Sequence, residues 1–259
     1  MAQESFLQID GLCKSFGDRV IFDGLTLSIA QGEKVGLIAR NGQGKSTLLD
    51  VIAGNADYRS GSITFRRDIK IAYLVQSPVF AKGSAVLEAC CPSADEELRL
   101  KARQLLTKLE ITDFEKPVDQ LSGGQAKRVA LAQALMSEPD FLILDEPTNH
   151  LDVEVTEWLE EYLSASRLTL LMVTHDRYLL DRVCNRIIEI DDFRAYSYSG
   201  NYSYYLEKRQ ERLDAESSQR ESDLNLYRHE LDWMRRMPCA RGGKARYRKE
   251  SFHDLEERL

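Results

Sequence analysis

The stretch "KVGLIARNGQGKSTLLDVIAG", Lys34 to Gly54, changes its local pattern twice. "KVGLI" is apolar enough for a buried strand, the middle is glycine-rich, and "STLLDVIAG" spaces its apolar residues as a helix ending at a glycine. Strand, glycine turn and helix in that order are the setting of a P-loop. Backbone N–H groups around Gly42–Ser46 then aim at phosphate oxygens, helped by the positive end of the helix. Lys45 is placed to reach the β- and γ-phosphates, and the Ser46 hydroxyl to ligate Mg²⁺. The candidate nucleotide-binding set is Asn41, Gly42, Gly44, Lys45, Ser46 and Thr47. Ala39 stands where this motif usually has glycine, which is tolerable if its φ is negative.

The pattern continues on both sides. Short β-rich runs ("FLQI", "LTLSI", "SITF", "IKIAYLV") fill residues 6–75, separated by turn residues. Helical spacing marks residues 95–109 and 122–136. Then come the strand "FLILD", a helix from Val153 to about Ser164, the strand "LTLLMVT", a helix near 178–184 and the strand "RIIEI". Continuous apolar strands alternating with helices predict a largely parallel sheet covered on both faces, in one α/β domain reaching about residue 200.

Two strand ends carry reactive groups. "FLILDEP", 141–147, runs into paired carboxylates: Asp145 placed to hold Mg²⁺, and Glu146 placed to orient and deprotonate an attacking water. "LTLLMVT" runs into His175, which can contact the γ-phosphate or order that water. "LSGGQ", 121–125, sets two glycines where backbone can approach a phosphate and opens a helix whose N-terminus faces it.

Together with Gln76 after "IAYLV", this ordered set resembles the ATP-binding cassette (ABC) ATPases over residues 6–195. The resemblance implies that Phe16 in "KSFG" stacks on adenine and that Gln76 lies near Mg²⁺. It also implies that Ser122, Gly123, Gly124 and Gln125 serve the nucleotide of a second cassette, and that Asp152 belongs to the D-loop. "LDEPTNHLD" and "VTHDRYLLDRV" narrow the resemblance to the ABC-F group of soluble, translation-associated ATPases. The fold so implied is a P-loop cassette with a mostly parallel core sheet, an antiparallel β subdomain and a helical signature subdomain at about 77–138, followed by a C-terminal helical hairpin. Only 44 residues separate Gln76 from Leu121. That leaves little room for the ribosome-touching arm of many ABC-F cassettes and fits the arm-poor, Uup-like branch, which has also been linked to DNA. A transporter nucleotide-binding subunit is the rival from a different class.

Beyond residue 200 the chain changes character. The whole carries a net charge of −7, but residues 203–259 hold 13 basic and 12 acidic groups. Residues 203–236 contain no Pro or Gly, and Leu224, Tyr227, Leu231 and Met234 form a helical stripe. Pro238, Gly242 and Gly243 interrupt, and a second helical pattern follows through Phe252, Leu255 and Leu259. Residues 201–259 therefore read as a hairpin whose bend holds Arg235, Arg236, Arg241, Lys244, Arg246, Arg248 and Lys249, with no Asp or Glu from 235 to 249. Such a tip suits phosphate backbones, RNA and DNA alike, with Trp233, Tyr247 and Phe252 nearby for base stacking, and the ABC-F resemblance implies that it reaches toward tRNA and rRNA. In the ABC-F group a similar hairpin joins two cassettes, so the expected partners are the ribosome and a second cassette. The pattern runs out at Leu259 without a stop signal, as in a chain cut from a longer protein. Five cysteines in no C-x-x-C pair, and apolar runs too short for a membrane span, predict a cytoplasmic protein with free thiols.

Overall fold

The computed structural model describes residues 5–40 and 42–235, together with Phe252, His253 and Glu256. The chain opens with β1 (Ser5–Phe16), β2 (Arg19–Ala30), β3 (Lys34–Ala39), α1 (Lys45–Ile52), β4 (Ser60–Phe65) and β5 (Ile71–Leu74). Helices follow: α2 (Val86–Cys90), α3 (Glu96–Lys108), a 3-10 turn at Val118–Gln120 and α4 (Gly123–Met136). The chain then alternates through β6 (Phe141–Asp145), α5 (Val153–Ala165), β7 (Thr169–Val173), α6 (Arg177–Val183), β8 (Arg186–Asp191) and β9 (Arg194–Ser199) before α7 (Tyr202–Arg235).

Two sheets form. β2-β1-β4 is antiparallel, and β5-β6-β7-β3-β8-β9 is parallel except for its last pair. The parallel strands are buried on both faces, and their period of two divides the core. Phe141, Ile143, Leu171 and Val173 pack with the antiparallel sheet and α1, while Leu142, Leu144, Leu170 and Met172 pack with the helices. The expected α/β fold with its antiparallel and helical parts is present.

β9 goes unmarked in the sequence. Its hairpin with β8 turns through Asp192 and Phe193, both at positive φ (46° and 61°), the backbone of a type I′ turn. Asn-Gly or Asp-Gly would have advertised that turn, whereas Asp-Phe does not.

The chain divides into two units, Met1–Tyr205 and Leu206–Leu259. Within the second, α7 is laced by polar pairs three and four residues apart, such as Lys208–Glu211, Gln210–Asp214 and Gln219–Asp223. Phe252 is buried and stacks on Tyr227 with ring centroids 5.1 Å apart. The basic positions from Arg236 to Lys249, with Tyr247, lie outside the described residues, as do the side chains of Trp233, Met234 and Arg235. Among the described residues, no helix is long and apolar enough to cross a membrane, and Cys13, Cys90, Cys91 and Cys184 are free thiols.

Candidate nucleotide site

Strand order assembles the site. β7 lies between β6 and β3, so the segments leaving these three strands emerge side by side at the carboxyl edge of the sheet, where open α/β sheets take ligands. The glycine turn leaves β3, the two carboxylates leave β6, and His175 leaves β7. Residues more than a hundred positions apart are thereby brought together.

In the turn, Gly42 and Gly44 have φ of 81° and 87°. A Cβ on Gly44 would stand 2.3 Å from Ile21 Cγ2, so glycine is required on both counts. Ala39 is not among the residues of positive φ, and the condition for alanine at that position is met. Asn41 lies outside the described residues. α1 begins on Gly44 with no side-chain cap, and the positive end of the helix favours an anion at the turn. Lys45 folds back along the turn and donates from Nζ to the Ala39 carbonyl at 3.0 Å. Ser46 and Thr47 follow on the first turn of α1, both half-buried.

Asp145 and Glu146 are 2% and 6% exposed. The Ser46 hydroxyl bonds the Asp145 carboxylate, yet burial dominates and pushes the Asp145 carboxyl above the usual carboxylate range. Its Oδ2 is buried without a hydrogen-bond partner. Such an orphan acceptor is costly, and a hard, oxygen-seeking cation beside it would remove the cost. Ser46 and Asp145 therefore fit Mg²⁺. Glu146 has a φ of 51°, a left-handed turn immediately after the strand. That turn bends the chain so that Glu146 Oε1 lies 3.4 Å from His175 Nε2, while Oε2 accepts from the His175 backbone N–H at 3.3 Å. Gln76 follows β5 and is exposed.

A second group surrounds the start of α4. Ser122 and Gln125 form a capping box: the Ser122 hydroxyl accepts from the Gln125 N–H at 3.2 Å, and Gln125 Oε1 accepts from the Ser122 N–H at 3.1 Å. Gly123 is exposed, and a Cβ on Gly124 would meet His150 Cβ at 3.0 Å. Asp152 caps α5 by accepting from the Val155 N–H at 3.0 Å, and its Oδ2 lies 3.8 Å from Arg128 Nη1. Phe16 is 56% exposed with Lys14 Nζ 5.0 Å from its ring centroid.

Three supporting residues escape the sequence. Arg19 donates from Nη2 to the Gly42 carbonyl at 2.7 Å and ties the hairpin that carries Phe16 to the glycine turn. Arg128 bonds Glu110 at 3.1 Å besides its approach to Asp152. Lys127 is buried and reaches the Asp145 carbonyl. Only Lys127 left a trace: it sits in helical register with buried Leu131 and Ala134, a charge on an apolar stripe.

Comparison with known proteins gives the family. Two family models, each described as ABC transporter, match residues 22–149 and 188–258. The chain is 40% identical to the uncharacterized ABC transporter ATP-binding protein YfmR of Bacillus subtilis, covering 98% of this chain and 47% of that one. It is 34% identical to the energy-dependent translational throttle protein EttA of Mycobacterium tuberculosis (93% and 50% covered) and 33% identical to EttA of Escherichia coli K12 (92% and 50%). The dimeric post-hydrolysis structure of the cassette MJ0796 bound to ADP and Pi superposes with a TM-score of 0.66 at 25% identity, over 74% of this chain and 98% of that one. The chain belongs to the ABC ATPases, as an ABC-F-like cassette. It spans about half the length of the curated relatives it matches. The YfmR alignment runs over 295 positions against a chain of 259 residues, so that relative carries at least 36 residues with no counterpart here.

Proposed function

We propose that this chain binds Mg²⁺-ATP in the turn after β3, hydrolyses it when a second cassette closes on the site, and uses that cycle to control association with the ribosome in the cytoplasm. The observation that carries the proposal is the meeting of Lys45, Ser46, Asp145, Glu146 and His175 at neighbouring strand ends.

Each residue then has a task. Turn amides and Lys45 hold the β- and γ-phosphates, and the Phe16 ring stacks on adenine. Ser46, Asp145 and Gln76 hold Mg²⁺, which supplies positive charge against the phosphate oxygens. Glu146 takes a proton from the attacking water, and His175, on the Glu146 carboxylate, keeps that base aimed. Ser122, Gly123, Gly124 and Gln125 would meet the γ-phosphate held by the second cassette, with Asp152 at the same junction. Because those residues face a different nucleotide from the one held in the turn, one copy of this chain offers two half-sites.

The ribosome belongs to the proposal through the relatives named translational throttle proteins and through the basic positions Arg235, Arg236, Arg241, Lys244, Arg246, Arg248 and Lys249. Arginine and lysine in such density suit rRNA or tRNA backbones. The short segment between Gln76 and Leu121 favours the arm-poor branch of the group. The test is sedimentation of the Glu146→Gln full-length protein with ribosomes. ATP-dependent co-sedimentation that weakens with salt is expected. Tight duplex-DNA binding without any ribosome association would replace this reading with a DNA-directed one.

A further inference from the structure

We infer that Lys127 is a positioning residue for the magnesium-bearing edge of the nucleotide site, an inference that rests on the nucleotide reading above. Lys127 is 3% exposed on the second turn of α4. A lysine is almost never so buried unless its ammonium is compensated. Its partners are two backbone carbonyls: Nζ donates to Asp145 at 2.7 Å and to Gln76 at 3.4 Å. Their side chains are the ones assigned to Mg²⁺ together with Ser46.

The sheet holds Asp145 through its pairing with Val173 on β7 but does not hold Gln76 against it. The β5–β6 ladder ends at the pair Leu74↔Leu144, and both Gln76 and Asp145 lie beyond it. Where that ladder stops, the Lys127 ammonium takes over, bonding both segments at once and setting the span across which Gln76 and Asp145 can share one cation. The same region of α4 is fastened to its own cassette at two further points: Arg128 lies between Glu110 and Asp152, and Gly124 lies against His150. The helix that begins with the signature residues is therefore anchored to the metal side of its own site. Outer groups that orient metal ligands typically change metal affinity 10- to 100-fold.

Calorimetric titration of the full chain with ATP, once in EDTA and once in Mg²⁺, tests this. Lys127→Met keeps length and volume but donates no hydrogen bond. The EDTA affinity should stay within about twofold of the parent, while the gain conferred by Mg²⁺ falls by about tenfold. Lys127→Gln, a shorter and uncharged side chain that still carries amide donors, should retain part of that gain. A Lys127→Met protein with the full Mg²⁺ gain, or one that loses affinity equally with and without the metal, overturns the inference and leaves Lys127 a packing residue. If Lys127→Met does not fold, Lys127→Gln decides: an undiminished Mg²⁺ gain refutes the role and a diminished one supports it. A parent protein that binds no ATP in either condition defeats the nucleotide reading first, and this inference with it.

Discussion

Glu146 occupies backbone that costs an L-residue roughly 1–2 kcal/mol, and what it gains is a carboxylate facing His175. Glu146→Gln preserves the shape and the strain but removes the carboxylate proposed as the base. Phosphate release should fall about 10²- to 10⁴-fold in a complete two-cassette protein, with ATP affinity changed by less than about twofold. Equal turnover in the variant would take Glu146 out of the chemistry.

Asp145 makes the complementary case. Its folded carboxyl is the weaker acid, because burial outweighs Ser46, Lys127 and Lys45. Ionising it therefore costs the metal-free protein stability as pH rises from about 4 through the raised folded value. Asp145→Asn should melt higher than the parent at pH 7 without metal, with the difference shrinking toward pH 4. Adding Mg²⁺-ATP should reverse the order, since only the parent gains. Two thiols provide a check on the core. Burial pushes Cys90 and Cys184 up to about 12, so neither should react with a thiol reagent at pH 8 until denaturant is added.

At the scale of elements, legibility follows how local each cause is. α3 and α4 were expected at 95–109 and 122–136 and lie at 96–108 and 123–136, because their stripes and caps are written in neighbouring residues. The α4 cap gives a measurable case: Ser122→Ala should lower stability by about 1 kcal/mol in urea melts, while leaving ATP affinity of the isolated chain unchanged. The glycine turn was equally legible, since its strain and its chemistry share residues. Gly44→Ala places a Cβ on Ile21 and at positive φ, so it should cost about 2–5 kcal/mol and abolish nucleotide binding. Arg19 and Arg128 were illegible for the opposite reason. An arginine on a strand end or helix announces nothing until the loop it bonds has been folded next to it.

For the whole molecule, the consequence is a division of labour between copies. If the signature residues serve a second cassette, turnover by this chain alone should be slow and should rise with protein concentration, steeper than linearly, as pairs form. Steady-state hydrolysis measured across a concentration series checks this, and a rate strictly proportional to concentration at a full enzyme's level would contradict it.

What the sequence determined by itself is the chemistry on offer and the order of the elements that carry it, because periodicity, glycine turns and caps act over a few residues. It placed Lys45 in the turn after one strand and Asp145, Glu146 and His175 at the ends of two others, without stating which strands are neighbours. Tertiary structure decided that β7 separates β3 from β6, that Glu146 turns toward His175, and that Lys127 reaches two carbonyls 51 and 18 residues away. Those are hydrogen bonds and burial between distant segments, whose energies exist only once the sheet has closed.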